Sequence, residues 1–154
     1  MVAYKNRYLV MEVFLNPSGP TTVEDPIVLT QFNVSKAIKD SILLNFGEHG
    51  LASSLSSFQV KYVNPITKIC VIRSSRDDHK NVWASVTMVG SIGSCPVCFN
   101  LLDLSGNIRA CKLKALKIED AKFEHYKLAV GSHLNDEVSQ TMHNHLQKLQ
   151  LLEN

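Results

Sequence analysis

The amino-acid sequence predicts an α+β fold in which two helices cover one face of a four-stranded antiparallel sheet. Four β-rich apolar runs and two amphipathic segments predict this fold, and they follow one another in the order β-α-β-β-α-β. The chain has 154 residues, of which 45% are hydrophobic and 19% are charged. This length and composition are typical of one soluble domain that buries its own core.

The first strand and the first helix come from the N-terminal third of the chain. Residues 8–15 are nearly all apolar, as in a central strand that is covered on both faces. After a polar loop, residues 30–46 predict a helix that Thr30 caps and Gly47 ends. We expect residues 48–57 to be a connection, because they are rich in Gly and Ser. The buried stripe of the helix repeats every four residues and consists of Val34, Ile38, Ile42 and Phe46.

The remaining strands and the second helix follow. Residues 58–64 and 68–74 predict a hairpin, because the intervening residues have the length of a tight turn. Strand alternation places Phe58, Val60 and Tyr62 on one face of the first of these strands. Ser75 is the expected N-cap of the second helix, and residues 98–104 are the expected fourth strand. The buried stripe of that helix consists of Val82, Val86 and Val89.

This order of elements predicts a ferredoxin-like or RRM-like α/β sandwich. Residues 108–117 fit either a fifth strand or a basic helix, and their spacing leaves both open. Residues 134–152 predict a further amphipathic helix. We therefore divide the chain into a ferredoxin-like domain, residues 1–118, and a C-terminal helical extension, residues 119–154.

Charge is divided unevenly along the chain. Residues 1–118 hold thirteen Lys and Arg against eight Asp and Glu, a net charge of +5, whereas residues 119–154 hold three against six, a net charge of −3. The sequence has no run of about 18 apolar residues that would span a membrane, and its start lacks the apolar core of a signal peptide. We expect a nuclear or cytoplasmic protein with a basic working face and no membrane contact.

No set of residues predicts catalysis, a metal site or a cofactor. Cys95 and Cys98 have CxxC spacing, but no second ligand pair accompanies them and they lead into a strand rather than opening a helix. His143 and His145 are two residues apart on a predicted helix and therefore face different ways. We expect buried structural thiols, exposed histidines and a chain that is not itself an enzyme.

Several segments, taken in their order and spacing, resemble a known family. They are KNRYL at 5–9, FQVKYVN at 58–64, IRS at 72–74, VWAS at 82–85 and SGNIRAC at 105–111. Over most of residues 2–118 the chain resembles the Pop-five family of ribonuclease P and ribonuclease MRP subunits, and it is most similar to the plant members.

The resemblance implies a non-catalytic subunit that supports the catalytic RNA in the 5′ maturation of precursor tRNA and in rRNA processing. It implies contact with ribonuclease P/MRP RNA, with precursor tRNA within the holoenzyme, with a TIM-barrel partner subunit and with a ferredoxin-like paralogous subunit. It also implies a location in the nucleus and nucleolus. The alternative function is a protein–protein scaffold module that has little direct contact with RNA.

Nine residues are the candidate RNA contacts, because each set combines cations with an aromatic residue, a hairpin or a Gly-containing turn. They are Lys5, Arg7 and Tyr8, then Lys61, Arg73 and Arg76, then Arg109, Lys112 and Lys114. The alternatives are solvated charges and, for Tyr8, an anchor in the core. The third strand has no aromatic residue, so we expect phosphate and shape contacts with folded RNA, or burial of the sheet against a protein, rather than RRM-type stacking.

Overall fold

The computed structural model describes residues 5–15, 29–93, 95–131 and 136–153. The elements along these residues are β1 (Asn6–Leu15), α1 (Gln31–Leu55), β2 (Gln59–Asn64), β3 (Ile69–Ser75), α2 (His79–Thr87), β4 (Ser91–Ile92), β5 (Cys95–Ser105), α3 (Ile108–Val130) and α4 (Asp136–Gln150). The strands form one sheet in the order β2-β3-β1-β5-β4, with every pair antiparallel. In the part of the chain that the structure describes, no helix is long and apolar enough to cross a membrane.

Strands β2, β3, β1 and β5 with helices α1 and α2 confirm the predicted ferredoxin-like arrangement. The central strand β1 pairs with β3 on one side and with β5 on the other. Its apolar run follows from this position, since Leu9 on one face and Val10 on the other both have no exposed surface. The first core lies between the sheet and helices α1 and α2.

Helix α1 begins as predicted and then continues beyond the predicted end. The Thr30 Oγ1 accepts a hydrogen bond from the Asn33 N–H at 3.0 Å, which is an N-cap. Gly47 interrupts the helix with a φ of 73°, a conformation that favours glycine. Helical geometry resumes after it as far as Leu55, so the prediction of a connection over residues 48–57 is wrong for most of that segment. Residues 48–55 contain no proline, so nothing in their sequence prevents the helix from resuming after the kink at Gly47.

The second face of the sheet is covered by α3 and α4, which makes the fold three layers deep. Residues 108–117 are the start of α3, so the helical alternative is the correct one. The Asn107 Oδ1 caps this helix by accepting from the Ala110 N–H at 2.7 Å. The second core combines Tyr8, Val10, Tyr62, Ile69 and Val71 of the sheet with Cys111 and Ala115 of α3 and Leu149 of α4. The predicted boundary between residues 118 and 119 lies within α3, and the division of the chain into two units stays a prediction.

Strand β2 contains an irregularity that the alternation of its sequence does not reveal. Val60 pairs with Ile72 and Tyr62 pairs with Val71, so Lys61 is an extra residue with no partner of its own in β3. As a result Val60 lies in the first core and Tyr62 in the second. The prediction that Phe58, Val60 and Tyr62 share one face is therefore wrong for Tyr62.

Candidate RNA interface

Three strand ends bring several predicted RNA contacts to one end of the sheet. Strand β1 begins there while β3 and β5 end there, because each pair is antiparallel: Asn6 lies opposite Ser75 and Tyr8 lies opposite Ser105. The Lys5 carbonyl accepts a hydrogen bond from the Arg76 N–H at 2.9 Å, which joins two of these segments. We define the basic end as the cations that these segments carry, namely Lys5, Arg7, Arg76 and Arg109.

Arg7 lies against the turn that leads into α3. Its Nη1 donates to the Asn6 carbonyl at 3.0 Å. A Cβ atom placed on Gly106 would lie 3.6 Å from that same Nη1, so the guanidinium and the turn are close neighbours. Arg109 follows in the first turn of α3, where it is exposed. The partial positive charge of the helix N-terminus adds to these two cations.

Lys61 and Arg73 lie at the same end of the sheet, on β2 and β3, but both are half-buried. The Arg73 Nε donates to the Ser57 carbonyl at 3.0 Å, which uses part of the guanidinium inside the protein. Burial lowers the pKa of Lys61, and the nearby charge of Arg73 lowers it further. This pair flanks the basic end and has a structural role as well.

Lys112 and Lys114 differ in their surroundings although they are two residues apart on α3. The Lys112 Nζ donates to the Gln150 carbonyl at 2.8 Å. That carbonyl belongs to the last residue of α4, where a helix favours a cation. Lys112 therefore joins α3 to α4, while Lys114 is exposed to solvent.

Tyr8 is 1% exposed and packs in the second core beneath α3. Burial raises the pKa of its hydroxyl. Its ring cannot stack on a base in this arrangement, which corrects the contact predicted for it and favours the alternative of a core anchor. The same two helices, α3 and α4, cover the sheet face around Val10 and Val71, which is the face that an RRM would offer to single-stranded RNA.

Sequence reasoning missed a buried polar cluster between α3 and the hairpin of β2 and β3. Glu119 has no exposed surface. The Asn64 Nδ2 donates to its Oε2 at 2.8 Å, and the Thr67 Oγ1 lies 2.9 Å from Oε1 and 3.0 Å from Oε2. Burial raises the pKa of Glu119 to about 7, against the opposing effect of hydrogen bonds from Thr67, Asn64 and Tyr62.

The sequence offers only a weak signal for this cluster. Glu119 stands among charged neighbours and looks like a solvated residue of the helix surface. Its spacing is the signal, because Cys111, Ala115 and Glu119 fall four residues apart on one face of α3 and are all buried. Helix α4 contributes to this cluster as well, since the Asn64 Nδ2 lies 3.2 Å from the Met142 Sδ of α4.

The four cysteines are free thiols. Cys70 and Cys111 are buried, and burial raises the pKa of each to about 12. The CxxC segment runs along strand β5, where Cys95 is half-buried and Cys98 is exposed, so the prediction of buried thiols is wrong for Cys98. Within the described residues, no three His, Cys, Asp or Glu side chains are grouped so that they could hold a metal ion. The absence of a metal or cofactor stays a prediction.

The fold and the site define a class: a ferredoxin-like α/β protein with helices on both sheet faces and a cationic end. Residues 7–116 match the sequence model of the Rpp14/Pop5 family, and the chain belongs to that family. This confirms the resemblance found in the sequence.

The similar proteins point the same way. The chain is 59% identical over 155 residues to a probable ribonuclease P/MRP protein subunit POP5 of Arabidopsis thaliana, with 100% of both chains covered. It is 29% identical over 133 residues to the ribonuclease P/MRP protein subunit POP5 of Schizosaccharomyces pombe, covering 83% of this chain and 95% of that one. A chain in the cryo-EM structure of yeast ribonuclease MRP has the same fold, with a TM-score of 0.54 and 15% identity over 80% of this chain and 98% of that chain.

Proposed function

We propose that this chain is a non-catalytic protein subunit of ribonuclease P and ribonuclease MRP. In this role it supports the catalytic RNA in the 5′ maturation of precursor tRNA and in rRNA processing. The observation that carries the proposal is the full-length identity of 59% to a plant protein described as a subunit of both enzymes. Glu119 supports the non-catalytic part, because the carboxyl whose pKa is raised has no exposed surface with which to reach a substrate.

The basic end is the proposed place of RNA contact. Lys5, Arg76 and Arg109 are exposed there, and Arg7 lies beside the turn at Gly106. Cations from three separate segments suit the phosphates of a folded RNA rather than one extended strand. Helices α3 and α4 support this mode, because they cover the sheet face around Tyr8, Val10 and Val71, where bases would otherwise stack.

The proposed partners follow the family resemblance. They are a TIM-barrel subunit, a ferredoxin-like paralogous subunit, and precursor tRNA that is bound within the holoenzyme. The proposed location is the nucleus and nucleolus. The support is that relatives from plants, yeasts and animals are described as subunits of the same two eukaryotic particles.

Salt-dependent RNA binding tests the proposed contact. The probe is the ribonuclease P RNA of the same organism, and the comparison is the wild-type chain against the double variant Arg7→Gln and Arg109→Gln. Loss of two phosphate contacts should reduce the slope of log affinity against log salt by about 1.4 to 1.8. Lys127→Ala is the control, because it removes a cation that lies about 27 Å from Arg109 along α3.

The outcomes separate the RNA-binding subunit from the scaffold alternative. A reduced slope with unchanged binding to the protein subunits supports RNA contact at the basic end. Normal RNA affinity combined with lost binding to the protein subunits would instead support a scaffold with little RNA contact. Equal slopes for the wild type and the double variant would overturn the assignment of the basic end.

A further inference from the structure

The outward face of α1 carries a straight stripe of side chains. Its spacings along the helix are four, three, four and three residues, which keep the side chains on one line. We define the outer stripe of α1 as Phe32, Lys36, Lys39, Leu43 and Phe46. The opposite face of the same helix holds Val34, Ile38 and Ile42, which are buried in the first core.

The outer stripe exposes large apolar side chains along its length. Phe32 is 75% exposed, Leu43 is 41% exposed and Phe46 is 37% exposed. Phe46 was predicted to complete the buried stripe, and its exposure corrects that prediction. From Phe32 to Phe46 the stripe is about 21 Å long. Single exposed apolar residues are ordinary on a protein surface, whereas a set aligned on one helix face is a candidate interaction surface.

Two cations occupy the centre of the stripe. Lys36 is exposed and Lys39 is half-buried. Within the described parts of the chain neither lysine forms a salt bridge. A partner that covers the apolar side chains therefore also has to meet two positive charges, which favours a surface that places carboxylates at the centre.

The spacing and the side chains decide between the possible partners. Alternating spacings of four and three are those of a seam between two packed helices. Leu43 has no aromatic face, so an RNA partner would leave it without a favourable contact. A second copy of this chain, related by a two-fold axis, would bring Lys39 close to its own equivalent and create repulsion.

We propose that the outer stripe of α1 docks an amphipathic helix of another protein subunit of the particle, with acidic residues opposite Lys36 and Lys39. This proposal rests on the proposed function, since it takes the partner from the same particle. It assigns the protein contact to the helical layer on the first face of the sheet, away from α3 and its first-turn cation Arg109.

Photo-crosslinking within the assembled particle identifies the occupant. A benzoyl-phenylalanine residue replaces Phe32 or, separately, Leu43, and the crosslinked peptides are sequenced by mass spectrometry. The expected product joins either position to an acidic helical segment of one protein subunit. The same substitution at Leu128, which is 81% exposed on α3, is the control and should not give that product. Crosslinks to RNA, to a second copy of the chain, or to no protein would overturn the proposal.

Charge reversal supplies a second measurement. The variant Lys36→Glu and Lys39→Glu is mixed with the purified protein subunits of the same organism's ribonuclease P in the absence of RNA. Its affinity for them should fall at least about tenfold. The double variant Lys117→Glu and Lys127→Glu is matched in charge on α3 and should bind those subunits like the wild type.

The two proposals fail in different ways in this measurement. If the wild-type chain joins none of the subunits, the proposed function is wrong and the docking proposal falls with it. If the wild type joins them and the Lys36→Glu, Lys39→Glu variant joins equally well, only the docking proposal is overturned. An unchanged urea-unfolding midpoint establishes that the variant is folded in either case.

Discussion

Glu119 is expected to make the free energy of unfolding depend on pH. Its pKa is raised from 4.5 to about 7 in the folded protein, chiefly because the carboxylate is buried. The folded state therefore binds a proton more tightly than the unfolded state does. The stabilisation is fully present below pH 4.5 and is lost as the pH rises through 7. A shift of about 2.5 pKa units corresponds to about 3 kcal/mol.

The substitution Glu119→Gln tests this reasoning, because glutamine resembles the protonated carboxyl in shape and cannot ionise. Its amide oxygen can accept from the Asn64 Nδ2, while its amide nitrogen can donate to the Thr67 Oγ1. The hydrogen bonds with Asn64 and Thr67 therefore remain possible, and the amide oxygen can also accept from the Tyr62 hydroxyl. We expect the variant to exceed the wild type in stability by up to about 3 kcal/mol at pH 8, and to match it near pH 4.5.

The assay is urea unfolding of both proteins from pH 4.5 to pH 8, with the difference in free energy taken at each pH. The difference is needed because neighbours titrate too. Burial and Lys148 lower the pKa of His145 on α4, whose ring meets that of Tyr62 edge-on, and this gives an opposite slope. Two other groups face this site. Burial raises the pKa of the Tyr62 hydroxyl, and the charge of Asp120 adds to the rise in the pKa of Glu119.

The control for this assay is Glu124→Gln, the same change at a side chain that is 70% exposed on the same helix. It should not alter the pH dependence by more than the few tenths of a kcal/mol of a surface pair. The reasoning is refuted if the difference between the wild type and Glu119→Gln stays constant from pH 4.5 to pH 8. It is also refuted if the variant is the less stable protein at pH 8.

Three further changes test other contacts. Thr67→Val removes the hydroxyl that donates to Glu119. The free energy of unfolding should fall by about 1 to 3 kcal/mol at pH 8 and by less at pH 4.5, as measured by urea unfolding at the two pH values. Asn107→Ala removes the N-cap of α3 and should cost about 1 kcal/mol, whereas Asn107→Asp, which keeps the acceptor, should not. Lys112→Met keeps the aliphatic stem but loses the hydrogen bond to the Gln150 carbonyl. Amide exchange in α4 should therefore accelerate about fivefold, which corresponds to about 1 kcal/mol. Unchanged exchange rates would contradict the contact.

The elements of the first core were predictable because their sequence patterns are local. Strand β1 is nearly continuous in apolar residues from Tyr8 onward, and Thr30 is a helix cap that can be identified in the sequence. The helix at residues 108–117 was not decided by its pattern, because its buried positions there are the small residues Cys111 and Ala115. Its helical state depends on packing against a sheet face that the sequence does not show to be available.

Parts of the site escaped prediction because they depend on register. The extra residue at Lys61 is invisible in a sequence that alternates regularly through Tyr62, yet it moves Tyr62 to the face where Glu119 lies. The cations could be recognised from the sequence, but it could not be predicted which of them are exposed and which donate hydrogen bonds inside the protein. Lys112 and Arg73 donate to carbonyls that belong to distant parts of the chain, at Gln150 and Ser57.

The three-layer arrangement limits where this protein can meet other molecules. Helices α1 and α2 cover one sheet face, and α3 and α4 cover the other around Tyr8, Val10 and Val71, while Phe14 and Cys98 on that second face stay exposed. The surfaces available for contact are the sheet ends, the outward sides of the helices and the exposed part of the second sheet face around Phe14. One of the ends collects cations because β1 begins where β3 and β5 finish. The outward side of α1 collects apolar side chains instead. Under the two proposals, RNA at the basic end and a protein helix on the outer stripe of α1 would contact different parts of the chain.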